Sequence, residues 1–515
     1  MILENKFYIC FIPLILGIIS SFSLPPYSFF FINFITFPLL LIFFISNYKK
    51  SRFISFSIGW IFGFGYFISS LYWLTHSLTF DEIFKPLIPF ALILIPSFLG
   101  IFYGIGTLVC SLFRLNNKIS TILIFSLIFG LVEYLRGFIL GGFPWNLIVF
   151  SLTEYLPMIQ ILSFIGTYSL NLLLINIFLI PSVIFFQYTK IKKIILIFLS
   201  LILIILNFLY GSFVIKKDYS IDEKNLDYLI KIISPKIEID KFFKNQDSHK
   251  LIQELIDLSS PNKFEKTIFI FPEGTFPSVY LEDLYQYSYL FSKNFSDMHT
   301  LILGINRSEN EDVYNSLVVI DKDTNILSKY DKNKLVPFGE FLPYEGFLKK
   351  LGLKKITQGY GSYSKGSSRQ IIEINGINLL PLICYEIIYS GRLNYSKIDY
   401  DLILNISEDG WFGDSIGPYQ HFSHLIFRSI EEGKNSIRSA NNGITAFINY
   451  RGEANYKIKS TERGVIELRS FKLIKKTFFG SNGNKIFFYF LLIYTSLIFF
   501  LKYRENHEKK LFIYK

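Results

Sequence analysis

Glu273, Lys332, Glu340 and Cys384 are the residues whose types and placement could do chemistry, and that chemistry would be attack of a thiol on a carbonyl. Glu273 follows the apolar run TIFIFP, Cys384 follows LLPLI, and the polar stretch Asn405 to Gly410 follows a third such run. Strand ends of this kind are where α/β domains present reactive side chains. Lys332 lies in YDKNKLVPFGE, with Glu340 just beyond the rigid Pro337-Phe338-Gly339 turn. The set supplies a thiol, a base, a cation and a second carboxylate. A cysteine attacks as a thiolate, which needs a nearby base or cation, and a carbonyl under attack needs donors where its oxyanion develops. Each residue alone also has an ordinary reading: a strand-end cysteine as an inert core thiol, a Lys-Glu pair as a solvated ion pair.

The other two cysteines, Cys10 and Cys110, fall in apolar stretches, so Cys384 has no disulfide partner in the polar region. No CxxC or Cys/His cluster points to a metal, and no cofactor is expected. His421 and His424 form an HxxH without a third ligand, which favours a structural or surface role.

These residues must be held by two differently solvated regions. With 51% hydrophobic and 18% charged residues, the 515-residue chain is too apolar for an ordinary soluble protein. The apolar excess lies before about Val214, whereas Lys, Asp, Glu and Asn concentrate between Lys216 and Lys476. Runs near spanning length can be read at Phe7 to Phe22, Phe29 to Ser46, Phe53 to Trp73, Leu87 to Phe113, Ile119 to Leu140, Met158 to Gln187, Ile194 to Val214 and Ile486 to Leu501. That predicts about eight membrane helices. Leu24, Pro25 and Pro26 follow the first run in place of a small-residue cleavage site, so it is expected to be retained.

Domain boundaries follow at 1–215 for seven helices, 216–480 for a polar domain, and 481–515 for a last helix and tail. The net charge of +11 sits beside hydrophobic segments, where it orients helices in a membrane rather than gripping nucleic acid. Lys49, Lys50 and Arg52, then Arg114 and Lys118, then Lys190, Lys192 and Lys193 mark alternate loops as cytoplasmic, which puts the polar domain outside. Glu133 and Arg136 sit at i and i+3 in an apolar run, either as the wall of a lipid headgroup cleft or as a structural pair.

In the polar domain, strands are legible at Thr267 to Phe271, Leu301 to Gly304, Leu317 to Ile320, Leu379 to Ile383, Leu402 to Ile406 and Thr445 to Asn449. The apolar spacing predicts a helix from Pro418 to Arg438. Short strands alternating with polar helices predict an α/β domain.

The stretches FPEGTFP, YDKNKLVPFGEFLPYE, ICYE, NISEDGWFGDSIGPYQH and RSIEEGKNSIRSANNGITAFINYRG, in this order, resemble the apolipoprotein N-acyltransferases, membrane members of the nitrilase superfamily. The helix layout and the GFPW segment extend the resemblance over nearly the whole chain. It implies a transmembrane helical bundle joined to a nitrilase-like αββα sandwich. It also implies Cys384 as nucleophile, Glu273 as general base, Lys332 as the cation stabilising the tetrahedral intermediate, and Glu340 as its support. The backbone N–H of Tyr385 would join the oxyanion hole, and Tyr385, Glu386 and Trp411 would stand near the substrate entrance; a mobile lid near Tyr385-Glu386, opening laterally to exchange substrates, is a separate expectation. The implied substrates are a phospholipid acyl donor and diacylglyceryl apolipoproteins. The implied location is the bacterial inner membrane with the catalytic domain on the periplasmic side, and a monomer is expected. The chain departs from the family where a Gln-x-Asn element is replaced by Ser234 and Lys236, and where SED precedes WFGD in place of TND. A membrane-tethered amidase and a non-enzymatic transporter or scaffold are the competing readings.

Overall fold

The computed structural model describes residues 6–217, 222–239, 247–348, 362–393 and 399–513. The chain divides into two compact units, one made of Met1–Thr75, Pro86–Asp218 and Thr477–Lys515, the other of His76–Lys85 and Tyr219–Lys476.

Among the described residues, seven helical segments are long and apolar enough to cross a membrane: Phe30–Asn47, Arg52–Thr79, Lys85–Ser111, Ile119–Arg136, Leu162–Phe185, Lys190–Lys216 and Lys485–Glu505. A shorter apolar helix, Phe7–Ser21, corresponds to the first run read from the sequence. Hydrocarbon demands helices because every backbone polar group must be satisfied internally. Helices in lipid gain little from the hydrophobic effect, so they pack through small residues. Accordingly, a methyl group on Gly59 would lie 2.3 Å from the Tyr103 carbonyl oxygen, and one on Gly17 would lie 2.1 Å from that of Phe62. Helix Lys190–Lys216 buries only Gly211 and turns its Ile, Leu and Phe side chains outward, as a lipid-facing helix does.

Glu133 and Arg136 prove to be a structural pair. Both are buried, at 0% and 1% exposure. Arg136 bonds the Glu133 carboxylate and the Phe143 carbonyl, while the Tyr103 hydroxyl donates to the other Glu133 oxygen. The pair is therefore committed to fastening the end of its helix to the following turn, and no charge is left to line a cleft.

The second unit contains two six-stranded sheets. In the first, the order is β12 (Gly464–Leu473), β1 (Asp222–Ser234), β2 (Thr267–Ile270), β3 (His299–Glu309), β4 (Asp312–Ile320) and β5 (Ile326–Asp331). In the second it is β11 (Tyr456–Ile458), β10 (Thr445–Ile448), β9 (Asn435–Asn441), β8 (Leu402–Glu408), β7 (Ile377–Ile383) and β6 (Ile372–Ile374). Each sheet has a parallel centre, β1-β2-β3 and β7-β8-β9, flanked by antiparallel strands. Parallel strands covered on both faces read as continuous apolar runs, which is why TIFI and LLPLI stand out in the sequence.

The helices Ser248–Ser259 and Ser288–Asn294 cover the first sheet through a core that includes Leu251, Leu255, Phe269, Phe291, Phe295 and Leu301. Helix Gly417–Glu432 is almost wholly buried. Between the sheets, Ser439 Oγ donates to the Ile233 carbonyl at 2.7 Å, and Asn441 Oδ1 accepts from the Ile237 N–H at 2.7 Å. The architecture is an αββα sandwich.

The helix predicted to run to Arg438 stops at Glu432. Gly433 takes a left-handed conformation (φ 64°) and closes the helix, and Asn435–Asn441 then forms a central strand. Its sequence, NSIRSAN, looked polar because its side chains are spent on buried hydrogen bonds.

Candidate active site

The catalytic candidates converge at the carboxyl ends of the parallel strands. Glu273 stands beyond β2 on a loop that presses against β3, where a methyl on Gly304 would lie 2.4 Å from Glu273 Cα. Only glycine at 304 lets the two backbones approach this closely. Lys332 follows β5, and its backbone N–H donates to the Asn315 carbonyl at 2.9 Å. Glu340 folds back over the turn: its Oε2 accepts from the Val336 N–H at 2.8 Å, and its own N–H donates to the Val336 carbonyl at 2.8 Å.

Lys332 Nζ sits between the two carboxylates, 2.8 Å from Glu340 Oε1 and 3.2 Å from Glu273 Oε1. Asn315, on β4, donates to the same two oxygens at 3.0 and 2.7 Å. Glu273 Oε2 faces the other way and accepts from the Glu408 backbone N–H at 2.9 Å. Burial opposes the charge on Lys332, but Glu273 and Glu340 outweigh it and hold the ammonium well above the ordinary lysine range. The cation stays charged even though it is buried.

Cys384 opens a short 3₁₀ turn, Cys384–Ile388, and is 8% exposed. Its φ is 49°, a left-handed conformation that costs a non-glycine residue about 1–2 kcal/mol. Such strain at a strand-to-turn corner lifts a side chain out of the sheet. Burial pushes the Cys384 thiol well above its usual range, and the Glu273 charge adds to the rise while Lys332 opposes it. The resting group is therefore the thiol, and reaction needs a base to take its proton.

Two consequences can be measured. The rate of iodoacetamide alkylation of Cys384 should keep climbing with pH beyond 9, because a raised pKa leaves little thiolate at neutrality; a plateau below pH 7 would contradict the assignment. Glu273→Gln removes a negative neighbour, so it should lower the thiol pKa and speed alkylation at pH 7 while acyl transfer falls by about 10²–10⁴.

Glu386 has a different place from the one the resemblance implies. It is 1% exposed. Its Oε1 accepts from the Tyr330 hydroxyl (2.7 Å), the Asn333 and Lys334 N–H groups (3.0 and 3.1 Å) and Arg369 Nη2 (2.9 Å), and its Oε2 accepts from the Ile383 N–H (2.9 Å). One carboxylate thus ties the Lys332 loop to the Cys384 turn. Residues 384–388 are all buried, so this turn is packed into the interior here. Glu386→Ala leaves Arg369 buried without its counter-charge and is expected to cost about 3–5 kcal/mol, read as a lower thermal unfolding midpoint of the solubilised protein. An unchanged midpoint would show that the strut carries no stability.

Tyr385 is also buried, with its ring edge-on to Tyr389 at 5.6 Å. Trp411 is partly exposed and packs edge-on against Phe80 at 5.6 Å. Phe80 belongs to residues 76–85, which the sequence placed as a loop between membrane helices and which here form part of the catalytic unit. Beside Trp411 opens a cleft of about 290 Å³ lined by His76, Phe80, Lys236, Ile239, Gly410 and Asn442, among others. Of the residues that depart from the family pattern, Lys236 lines this cleft, whereas Ser234 is buried and its hydroxyl lies 3.5 Å from the Glu462 carbonyl oxygen.

Sequence reasoning missed a second buried cluster beside Cys384. Asp409 accepts from Ser407 Oγ (2.7 Å) and Arg438 Nη2 (2.7 Å), and its Oδ1 lies 2.9 Å from His421 Nδ1. Burial raises the Asp409 pKa, but Arg438 and His421 outweigh it and keep the carboxylate charged. Burial and Arg438 lower that of His421. Cys384, Asp409 and His421 offer ligand atoms within 4.8 Å of one another, yet Arg438 already occupies one Asp409 oxygen and lies 3.1 Å from His421 Nδ1. A cation here would meet a guanidinium, so the cluster is built as an ion-pair network. The available signal was a polar residue within the predicted helix, His421, and one beside an apolar strand run, Asn315.

A membrane-embedded helical unit and a carbon-nitrogen-hydrolase-type sandwich with a buried Glu-Lys-Glu-Cys constellation define the class: a membrane-bound enzyme of the nitrilase superfamily. Residues 16–180 match the family described as apolipoprotein N-acyltransferase N-terminal domain, and residues 296–468 match carbon-nitrogen hydrolase. The apolipoprotein N-acyltransferase of Rhizobium rhizogenes is 32% identical over 481 residues, covering 88% of this chain and 88% of its own. That of Brucella melitensis is 30% identical over 473 residues, covering 88% and 87%. Among solved structures, an amidase from Nesterenkonia sp. aligns at 12% identity with a TM-score of 0.33, covering 49% of this chain and 92% of that one. The chain belongs to the apolipoprotein N-acyltransferase family, and it is an acyltransferase.

Proposed function

We propose that the protein N-acylates lipoproteins by a ping-pong reaction through a thioester on Cys384. The observation that carries this reading is the joint burial of Glu273 and Lys332 around a thiol held on a strained turn. Glu273 takes the Cys384 proton, and the sulfur attacks the acyl ester carbonyl of a phospholipid. The resulting oxyanion is stabilised by the Lys332 ammonium and the Tyr385 backbone N–H. Collapse breaks the carbon–oxygen ester bond, the proton on Glu273 passes to the departing oxygen, and lysophospholipid leaves a thioester. The free α-amino group of a diacylglyceryl-cysteine then attacks; Glu273 accepts its proton, the carbon–sulfur bond breaks, and the proton returns to sulfur. Glu340 and Asn315 keep Lys332 and Glu273 apart from water and fixed in direction.

The acyl donor is a phospholipid because a membrane-anchored site meets acyl chains without extracting them, which costs about 0.8 kcal/mol per methylene removed from the bilayer. The Lys and Arg residues of alternate loops support a catalytic unit on the periplasmic side of the inner membrane. The protein acts as a monomer. Purified protein mixed with phospholipid vesicles and a diacylglyceryl-cysteine peptide should yield N-acyl peptide and lysophospholipid in equal amounts. Free fatty acid with no N-acyl peptide would instead identify a hydrolase.

A further inference from the structure

The left-handed turn at Cys384 must be held against relaxation, because a strained backbone persists only where its surroundings over-determine it. The Cys384 carbonyl oxygen points down into the buried cluster, where His421 Nε2 lies 3.3 Å away and Asn405 Nδ2 3.5 Å away. A carbonyl oxygen can only accept, so the contact with the ring is bonding when Nε2 carries a hydrogen.

The neighbours of His421 permit this. Asp409 is satisfied without the imidazole, by Ser407 Oγ and Arg438 Nη2. Arg438 Nη2 also lies 3.1 Å from His421 Nδ1, so it can donate there and leave the ring hydrogen on Nε2. A doubly protonated ring would likewise donate from Nε2, with Nδ1–H on Asp409. The form with its only hydrogen on Nδ1 donates to Asp409 Oδ1 at 2.9 Å and sets a lone pair against the Cys384 carbonyl, the form with its only hydrogen on Nε2 does the reverse, and the ring donates at both contacts when doubly protonated. Arg438 is in turn locked by Asn405 and the Ile444 carbonyl, and the Phe412 ring stands edge-on to the imidazole at 5.7 Å.

We propose that His421 is a positioning residue that pins the strained nucleophile turn by donating from Nε2 to the Cys384 carbonyl, with Asp409 and Arg438 fixing the ring. Its hydrogen-bond contact with Cys384 is to the carbonyl oxygen. It acts through the direction of the Cys384 side chain and of the Tyr385 N–H that follows it, and this role rests on Cys384 being the nucleophile.

The test compares His421→Ala, His421→Asn and His421→Gln in the detergent-solubilised full chain, using phospholipid vesicles as acyl donor and intact mass to follow acyl-enzyme formation. Gln places an amide N–H near the site of Nε2, whereas Asn places one near Nδ1. Ala and Asn should slow the acylation step by about 100-fold, as a misplacement of order 1 Å does, with KM nearly unchanged, and Gln should restore most of the rate. Rescue by Asn equal to that by Gln, or a wild-type rate in folded His421→Ala, would overturn the proposal. The ¹⁵N spectrum of histidine-labelled wild-type protein, with the His421 signals assigned by their loss in His421→Gln, decides independently of folding in the other variants: a bare Nε2 overturns the proposal, a protonated one supports it. Absence of any acyl adduct on the wild type would instead refute Cys384 as nucleophile, and the nitrogen spectrum would still judge the hydrogen bond.

Discussion

Cys384→Ala is expected to form no acyl-enzyme and to reduce lipoprotein N-acylation by at least about 10⁴-fold, with the thermal unfolding midpoint close to that of the wild type. The loss is this large because no other described residue can take the nucleophile's place. Cys10 and Cys110 lie in the membrane helices, and the neighbouring hydroxyl, Ser407, already donates to Asp409. Cys384→Ser should recover little, since an alcohol is far harder to deprotonate than even a buried thiol. Stability should hold because the side chain removed is small and the turn is fastened through its backbone carbonyl and through Glu386. N-acyl product formed by Cys384→Ala at more than a hundredth of the wild-type rate would mean that another group carries the acyl chain.

Lys332→Ala is the second large effect, and it differs in kind. Lys332 is 1% exposed and is the cation that separates Glu273 Oε1 from Glu340 Oε1. Its removal leaves two buried carboxylates facing each other across Asn315, at a cost to folding of about 3–5 kcal/mol unless one of them takes up a proton. Catalysis should fall by about 10²–10³ or more through the lost oxyanion stabilisation alone. The two losses separate with pH: acidification protonates a carboxylate and should recover stability in the variant, whereas activity should not return. The measurement is the thermal midpoint and the acylation rate of Lys332→Ala between pH 5 and 8. Activity that recovers together with stability would show Lys332 to be only a structural counter-ion.

How much of this could be read from the residues depends on what each residue leaves in a one-dimensional pattern. The parallel strands before Glu273 and Cys384 are buried on both faces, so they appear as uninterrupted apolar runs that end at a polar or reactive side chain. Lys332 and Glu340 are eight residues apart on one turn, which makes their pairing a local matter. The spanning helices are legible because lipid removes the need for a polar face.

What the pattern hid is long-range. Asn315 meets Glu273 and Glu340 only because β4 runs beside β3 and β5 in one sheet. Strand Asn435–Asn441 spends its polar side chains on partners such as Asn405, Asp409 and Ile237, so its composition imitates a helix surface or loop. Residues 76–85 join the catalytic unit from between two membrane helices, and no spacing or composition within the segment announces a partner more than 300 positions away. Glu386 was legible as an acidic neighbour of the nucleophile, but its burial and its five hydrogen bonds were not.

The most direct test of the central claim is the intact mass of the reduced, detergent-solubilised protein after incubation with phospholipid vesicles, followed by addition of a diacylglyceryl-cysteine peptide. The account predicts a mass gain of one acyl chain that hydroxylamine removes, that Cys384→Ala never acquires, and that the peptide discharges as an N-acyl product. A well-folded wild-type protein that transfers acyl chains to the peptide without ever carrying one on Cys384 would contradict it.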